Sequence, residues 1–418
     1  MRYYLILFIT VLFSQEHYED LDFICDYDGD GKRNDCALFE QFGDNSWSTK
    51  DYRGAVEQYF TMLICKCINR DNIRIYQDLG LSYEKIGILD STVWSFKEGL
   101  KLDKDNEDLL WNTARILTKL NKNGDKNNLE TLYYYFDRLL EINPDNVSIL
   151  EKYSEVYKNN EQYEEQIEIL NQWLKLDPDS KIAINNKKIA YGQLGMDETQ
   201  VDKERWEKES SNLEYGISYV KSLMENEDFD ESIEVCEELV LLHSEDRRLL
   251  KLISDSYVKN LNDKKAVKYL EELIKIDYDN SNVMIDLSNV YMNLYEFSKA
   301  YNWANKAIST EKMKGKSFFQ RAEVLVQAVD YYRSDELDFC DRLVYDLASE
   351  DYQLAYNNGQ LNAKIYKNNL KDLVTTIGDW FLLGKDFKEL SPSSNECKEQ
   401  IKNKDYYGFI NRNVMRKE

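Results

Sequence analysis

From about residue 73 the chain alternates amphipathic segments, in which apolar residues return every three or four positions, with short polar turns, and this alternation repeats every 34 residues. Residues 73–106, IRIYQDLGLSYEKIGILDSTVWSFKEGLKLDKDN, form one unit, residues 147–180 form another, and residues 247–280 and 281–314 continue the series. Each unit reads as two amphipathic helices. A tyrosine at unit position 11 checks the register: Tyr83, Tyr157, Tyr191, Tyr257 and Tyr291 are 74, 34, 66 and 34 residues apart, which requires one 40-residue unit at 107–146 and one 32-residue unit at 181–212. Small residues occupy position 8 (Gly80, Ala114, Ser154, Ser254, Ser288, Ala322) and position 20 (Ser232, Ala266, Ala300), where two helices can approach closely. Lys188 and Val220 at position 8 and Gln166 at position 20 depart from the pattern, and unit 181–212 has the weakest second helix.

The order Tyr76-x2-Leu79-Gly80-x2-Tyr83 followed by Phe96 resembles the tetratricopeptide repeat family, as do the helix stops at Pro144 and Pro178. Asn146, Ser180 and Asn280 stand where they can cap the following helix. The resemblance implies an all-α fold, an α-solenoid of about eight antiparallel helix pairs wound into a right-handed superhelix over residues 47–360. The last unit, 315–360, carries about fourteen extra residues around RSDELDFCDRLVYD, and residues 361–418 form a C-terminal cap or extension. The resemblance also assigns the inner groove to the first helix of each unit, here Arg74, Gln77, Lys85, Glu151, Glu155, Arg248, Lys251, Asp255, Asn289 and Asn293.

Composition narrows the function. Seventy-seven Asp or Glu against 54 Lys or Arg give a net charge of −23, which disfavours nucleic acid as a partner. Residues 361–418 hold eleven Lys or Arg against eight Asp or Glu, so the remainder of the chain carries −26 against their +3. Only His17 and His243 are present, leaving no histidine pair for zinc and no nucleophile–base set, so the chain reads as no enzyme. Tryptophans such as Trp94, Trp111 and Trp173 read as core, and Cys236, at a buried unit position, as an inert thiol.

The N-terminus adds candidate chemistry. Residues 1–14 have one cation at Arg2 and an apolar run to Phe13, the anatomy of a signal peptide, which predicts export to a periplasm or cell surface and no transmembrane span in the mature chain. Seven cysteines fit an oxidising compartment. Residues 15–46 are an acidic segment containing CDYDGDGKRNDC, whose spacing predicts one structural Ca2+ on Asp26, Asp28, Asp30 and Asp35, inside a ring closed by a Cys25–Cys36 disulfide. The loop resembles the calcium loops of thrombospondin type 3 and dockerin-like repeats, although Ala37 stands where a complete EF-hand has its bidentate Glu. The expected function is a non-catalytic scaffold that binds a protein or peptide in its groove, with a partner of basic or mixed surface. The alternative is a calcium-dependent surface or adhesion module in which the solenoid is a spacer.

Overall fold

The computed structural model describes Cys25 and residues 35–124, 126–334, 336–384, 387–400 and 406–417. The expected signal peptide and residues 26–34 lie outside the described residues. The chain divides into two compact units, residues 1–197 and 198–418, and among the described residues both are almost wholly helical.

Among the described residues of the first unit nine helices follow one another: α1 (Cys36–Ser48), α2 (Tyr52–Ile64), α3 (Arg74–Lys85), α4 (Leu89–Leu102), α5 (Glu107–Lys122), α6 (Leu129–Ile142), α7 (Val147–Asn159), α8 (Tyr163–Leu176) and α9 (Lys181–Gln193). The second unit continues with α10 (Thr199–Lys208), α11 (Leu213–Glu225), α12 (Phe229–Leu242), α13 (Arg247–Lys259), α14 (Asp263–Ile276), α15 (Ser281–Asn293), α16 (Phe297–Ser309), α17 (Lys314–Tyr332) and α18 (Phe339–Asn357). Within each unit, consecutive helices pack on each other, as local pairing of amphipathic segments requires. Among the described residues no helix is long and apolar enough to cross a membrane.

Local chemistry sets these boundaries. Asn106, Asn146, Ser180, Asn212, Asp246 and Asn280 are each the residue before the first helix of a repeat, and each side chain accepts from backbone N–H groups of the first turn. The turn inside each 34-residue unit needs a left-handed residue, supplied by Gly87 (φ 84°) and Gly195 (φ 69°), but equally by Glu161, Glu227, Leu261 and Tyr295. At the small-residue positions the helices are in close contact: a Cβ on Gly80 would lie 2.2 Å from the Phe96 ring. Ser288 Oγ, at position 8, donates 2.8 Å to the carbonyl of Ala300, at position 20 of the same pair. Gln166, at position 20 of its pair, is buried, and neither polar atom of its amide has a hydrogen-bond partner.

Three results differ from the sequence reading. Cys25 is bonded to Cys65 and Cys36 to Cys67, in place of the expected Cys25–Cys36 ring. The antiparallel packing of α1 on α2 brings the start of one helix beside the end of the other, where Lys66 in the left-handed region (φ 52°) separates the two acceptor cysteines. Helix α1 also starts at Cys36, inside the segment read as an acidic leader to the repeats. Finally, the extra residues near 334–347 largely extend a helix: α18 begins at Phe339, where Asp338 and Asp341 form a capping box, and both α17 and α18 reach 19 residues.

The C-terminal segment lies against α18. It contains α19 (Ala363–Asn369), α20 (Ile377–Leu383), α21 (Asn395–Gln400) and a two-strand antiparallel ladder of β1 (Glu389–Leu390) with β2 (Val414–Met415). Cys340, on α18, is bonded to Cys397. Tyr407 donates 2.5 Å to Asp341, Lys417 donates 2.6 Å to Asp346, and Arg412 donates 2.7 Å to Asp351. Asp351 is fully buried and is also held by Arg321 at 2.6 and 2.8 Å, so the charge that burial would penalise is met by two guanidinium groups. Cations of the +3 tail thus meet carboxylates of α18.

Candidate functional site

Helices α3, α5 and α7 are the first helices of three successive pairs, and their side chains join into one charged surface in the first unit. On α5, Trp111, Arg115, Lys119 and Lys122 fall at steps of four, four and three residues and therefore share one face. Arg115 makes a bidentate pair with Glu84 of α3, at 2.7 and 2.6 Å. Lys122 donates 2.7 Å to Glu155 of α7, which also takes Lys152 at 3.3 Å. Lys119 is exposed and pairs with no carboxylate among the described residues.

Between α5 and α7 this surface encloses a cavity of about 410 Å³, open on one side. Trp111 supplies its exposed aromatic surface, with the almost wholly buried Phe136 beneath; Arg115, Lys119, Lys122, Lys152 and Glu155 supply its charged rim. Phe136 is fixed from behind, since Tyr153 stacks on it with centroids 4.9 Å apart and planes 10° from parallel. Tyr153 in turn donates 2.8 Å to Asp137 and shares a 2.7 Å bond with Tyr157, so the floor of the cavity is held by a braced aromatic stack.

The electrostatics agree with the geometry. The Arg115 guanidinium holds the Glu84 carboxyl below its ordinary value, and Lys122, followed by Lys152, does the same to Glu155. Counting Glu84 and Glu155 with the four cations, the site keeps two positive charges in a chain whose net charge is −23.

The residues expected to line a groove fall on the expected helices but are engaged unequally. Arg74, on α3, is occupied by Asp44 at 2.9 Å, Asp78 at 2.7 Å and Glu40 at 2.5 Å. Gln77 and Lys85 share α3, while Glu151 and Glu155 lie on α7, and of these only Glu155 borders the cavity. In the second unit Arg248 pairs with Glu214 at 2.7 Å and Asp246 at 3.1 Å. Lys251 pairs with Asp255 and with Asp286, the latter at 3.3 Å, while Asn293 donates 3.3 Å to Asp263 and Asn289 lies half-buried on α15.

Sequence reasoning passed over the α5 residues because the groove set skipped the 40-residue unit, and because Trp111 was counted as core. Trp173 is buried and Trp94 is exposed, while Trp111 packs against the core with part of its surface and lines the cavity with the rest. The Trp–Arg–Lys–Lys spacing on α5 was the available signal. Of the expected calcium ligands, Asp26, Asp28 and Asp30 lie outside the described residues; Asp35 is buried immediately before α1, and its carbonyl accepts from Phe39 N–H at 2.9 Å. Among the described residues no group of three or more His, Cys, Asp or Glu side chains is placed to hold a metal ion. Cys236 is buried and unbonded, and burial pushes its thiol up to about 12, the chemistry of an inert core residue.

Comparisons with known proteins bear on the repeat. No curated protein sequence matches the chain. Among solved structures, a crystal structure of MamA aligns at 16% identity and TM-score 0.35, covering 43% of this chain and 96% of that one. YrrB, described as a TPR protein with an unusual peptide-binding site, aligns at 13% identity and TM-score 0.29, covering 56% and 97%. A tetratricopeptide repeat protein from Parabacteroides merdae aligns at 18% identity and TM-score 0.28, covering 61% and 98%. The family model described as "Tetratricopeptide repeat" matches residues 147–180, one unit of the repeat, which is the pair α7–α8 ending at the Pro178 stop.

Proposed function

We propose that the chain is a non-catalytic scaffold that holds a protein or peptide partner on the first-helix surface of its repeats. The observation that carries this reading is the α5–α7 cavity, an apolar floor with unsatisfied positive charge on the side chains that successive repeats present together. The net charge of −23 favours approach by a partner of basic or mixed surface, since the long-range field repels a uniformly acidic one. Three disulfides support residence in an oxidising compartment, a periplasm or the cell surface, reached through the leader at residues 1–14. Crosslinking in the native host with the tagged full chain, followed by fractionation, tests both parts. Partners crosslinked to α3, α5 or α7 support the scaffold, whereas recovery of the chain in the reduced cytosol removes the compartment assignment.

A second reading has one observation in its favour. Cys25 and Cys36 are tied to Cys65 and Cys67, which are two residues apart, so the bonds draw the two ends of the acidic loop towards one short segment. Such a clamp would lower the entropic cost of wrapping Asp26, Asp28, Asp30 and Asp35 around one Ca2+, and would support a calcium-dependent surface module. Calorimetric titration of the oxidised chain with calcium decides this: absence of heat, with stability indifferent to chelator, removes the reading.

A further inference from the structure

Resting on the scaffold reading, we infer that the α5–α7 cavity selects a peptide segment in which a bulky apolar residue is flanked by carboxylates. The apolar requirement comes from the aromatic side of the cavity. Trp111 presents the exposed apolar wall, and Phe136 beneath it is almost wholly buried and locked by Tyr153, so a side chain of leucine or phenylalanine size replaces water against Trp111 on a base that does not have to rearrange. The acidic requirement comes from the rim. Arg115 is committed to Glu84, Lys119 reaches that same carboxylate only through its longer-range field and forms no ion pair among the described residues, and Lys122 and Lys152 share the single carboxylate of Glu155.

Three lysines therefore divide one negative charge, and two incoming carboxylates, one of them beside Lys119, offset the two positive charges that the protein leaves open. Glu155 marks the geometry that an incoming carboxylate would extend, since it accepts from helices α5 and α7 at once. A basic segment meets the same rim as like charge, although the chain as a whole attracts it. The partner's surface is then mixed in a specific sense: basic regions serve long-range approach, and an acidic–apolar stretch is what the cavity holds.

Selection of a random nine-residue peptide library against the oxidised full chain tests this, with enriched peptides measured by fluorescence anisotropy on the wild type and on Lys119→Glu. Lys119 is exposed and unpaired, so its reversal leaves the fold intact, and a matched thermal midpoint checks that. Enriched peptides should carry Asp or Glu within two or three residues of Leu, Ile, Phe, Tyr or Trp, and should bind Lys119→Glu about ten-fold more weakly. Enrichment of basic or carboxylate-free peptides, or unchanged affinity in Lys119→Glu, overturns the cavity's specificity and leaves the scaffold reading standing. Enrichment of no peptide at all overturns the cavity's specificity for a linear segment, and the crosslinking experiment then decides the scaffold reading by itself.

Discussion

The phenol of Tyr291 donates a 2.6 Å hydrogen bond to Glu271 Oε1, twenty residues earlier and one helix pair back. Tyr257 makes the same bond to Glu237, again twenty residues earlier, so in the second unit the tyrosine that sets the sequence register also ties two pairs to their predecessors. Burial and the carboxylate acceptor both push the Tyr291 phenol well above its ordinary value, which keeps it a donor at any physiological pH. Tyr291→Phe keeps the ring and removes the donor. The expected loss is about 1–2 kcal/mol, read as a lower urea midpoint, because a hydrogen bond to a charged group is lost and Glu271 keeps access to water. An unchanged midpoint would show that the bond has no net value.

Gln166 → Met is expected to stabilise the first unit. The Gln166 amide is buried with both polar atoms unpartnered, a cost of about 1–3 kcal/mol that a thioether of similar volume does not incur. A raised thermal midpoint is the predicted readout, and a fall would mean that the amide finds partners in solution.

Leu261 offers a similar gain through the backbone. It is 90% exposed and left-handed at φ 56°, so Leu261→Gly removes a conformational cost of about 1 kcal/mol without opening a cavity. Gly87, at the same unit position with φ 84° and open space around it, supplies the converse: Gly87→Ala should lose a similar amount. Opposite shifts in the two unfolding midpoints are required.

Acid should weaken the cavity rim. Because Lys122 and Lys152 hold the Glu155 carboxyl below its ordinary 4.5, its folded value lies under its unfolded one. The stabilisation is then fully present above about 4.5 and is lost as pH falls through the depressed value. Asp78, pushed up by burial, contributes with the opposite sign in the same unit. Denaturation at a series of pH values should give a shallower acid loss in Glu155→Gln than in the wild type; identical slopes would contradict the assignment.

The C-terminal disulfide closes a 57-residue separation, and by chain entropy its removal should cost about 4 kcal/mol. In Cys340→Ser with Cys397→Ser, exchange protection should fall in residues 406–415 before it falls in α13 to α16, since the tail would then be held by the burial of a few side chains such as Tyr407, Ile410 and Val414 and by pairs such as Arg412–Asp351, with no covalent tie to α18. Uniform loss across the second unit would show that tail and repeats unfold together.

The period and the caps were legible because they are local: Asn146, Ser180 and Asn280 act on N–H groups two or three residues away, and a single chain displays that spacing. Close approach at Gly80 and Ala300 was legible for the same reason, since packing within one pair repeats along the sequence. The disulfide partners of Cys25 and Cys36 were not, because they follow from how the end of α2 lies beside the start of α1, a relation across 40 and 31 residues. The α5–α7 cavity was hidden similarly. It depends on Lys122 reaching Glu155 across 33 residues, a relation set by the packing of two pairs and obscured by the longer 107–146 unit.

The pairing of Cys25 with Cys65 and Cys36 with Cys67 has a consequence for biosynthesis. Four cysteines permit three two-bond pairings, and while residues 65–67 are still unmade the one bond that Cys25 and Cys36 can close within the chain is the non-native ring between them. A nascent chain oxidised from its N-terminus therefore meets the wrong product first, and its maturation requires either delayed oxidation or a thiol–disulfide isomerase that reopens that ring.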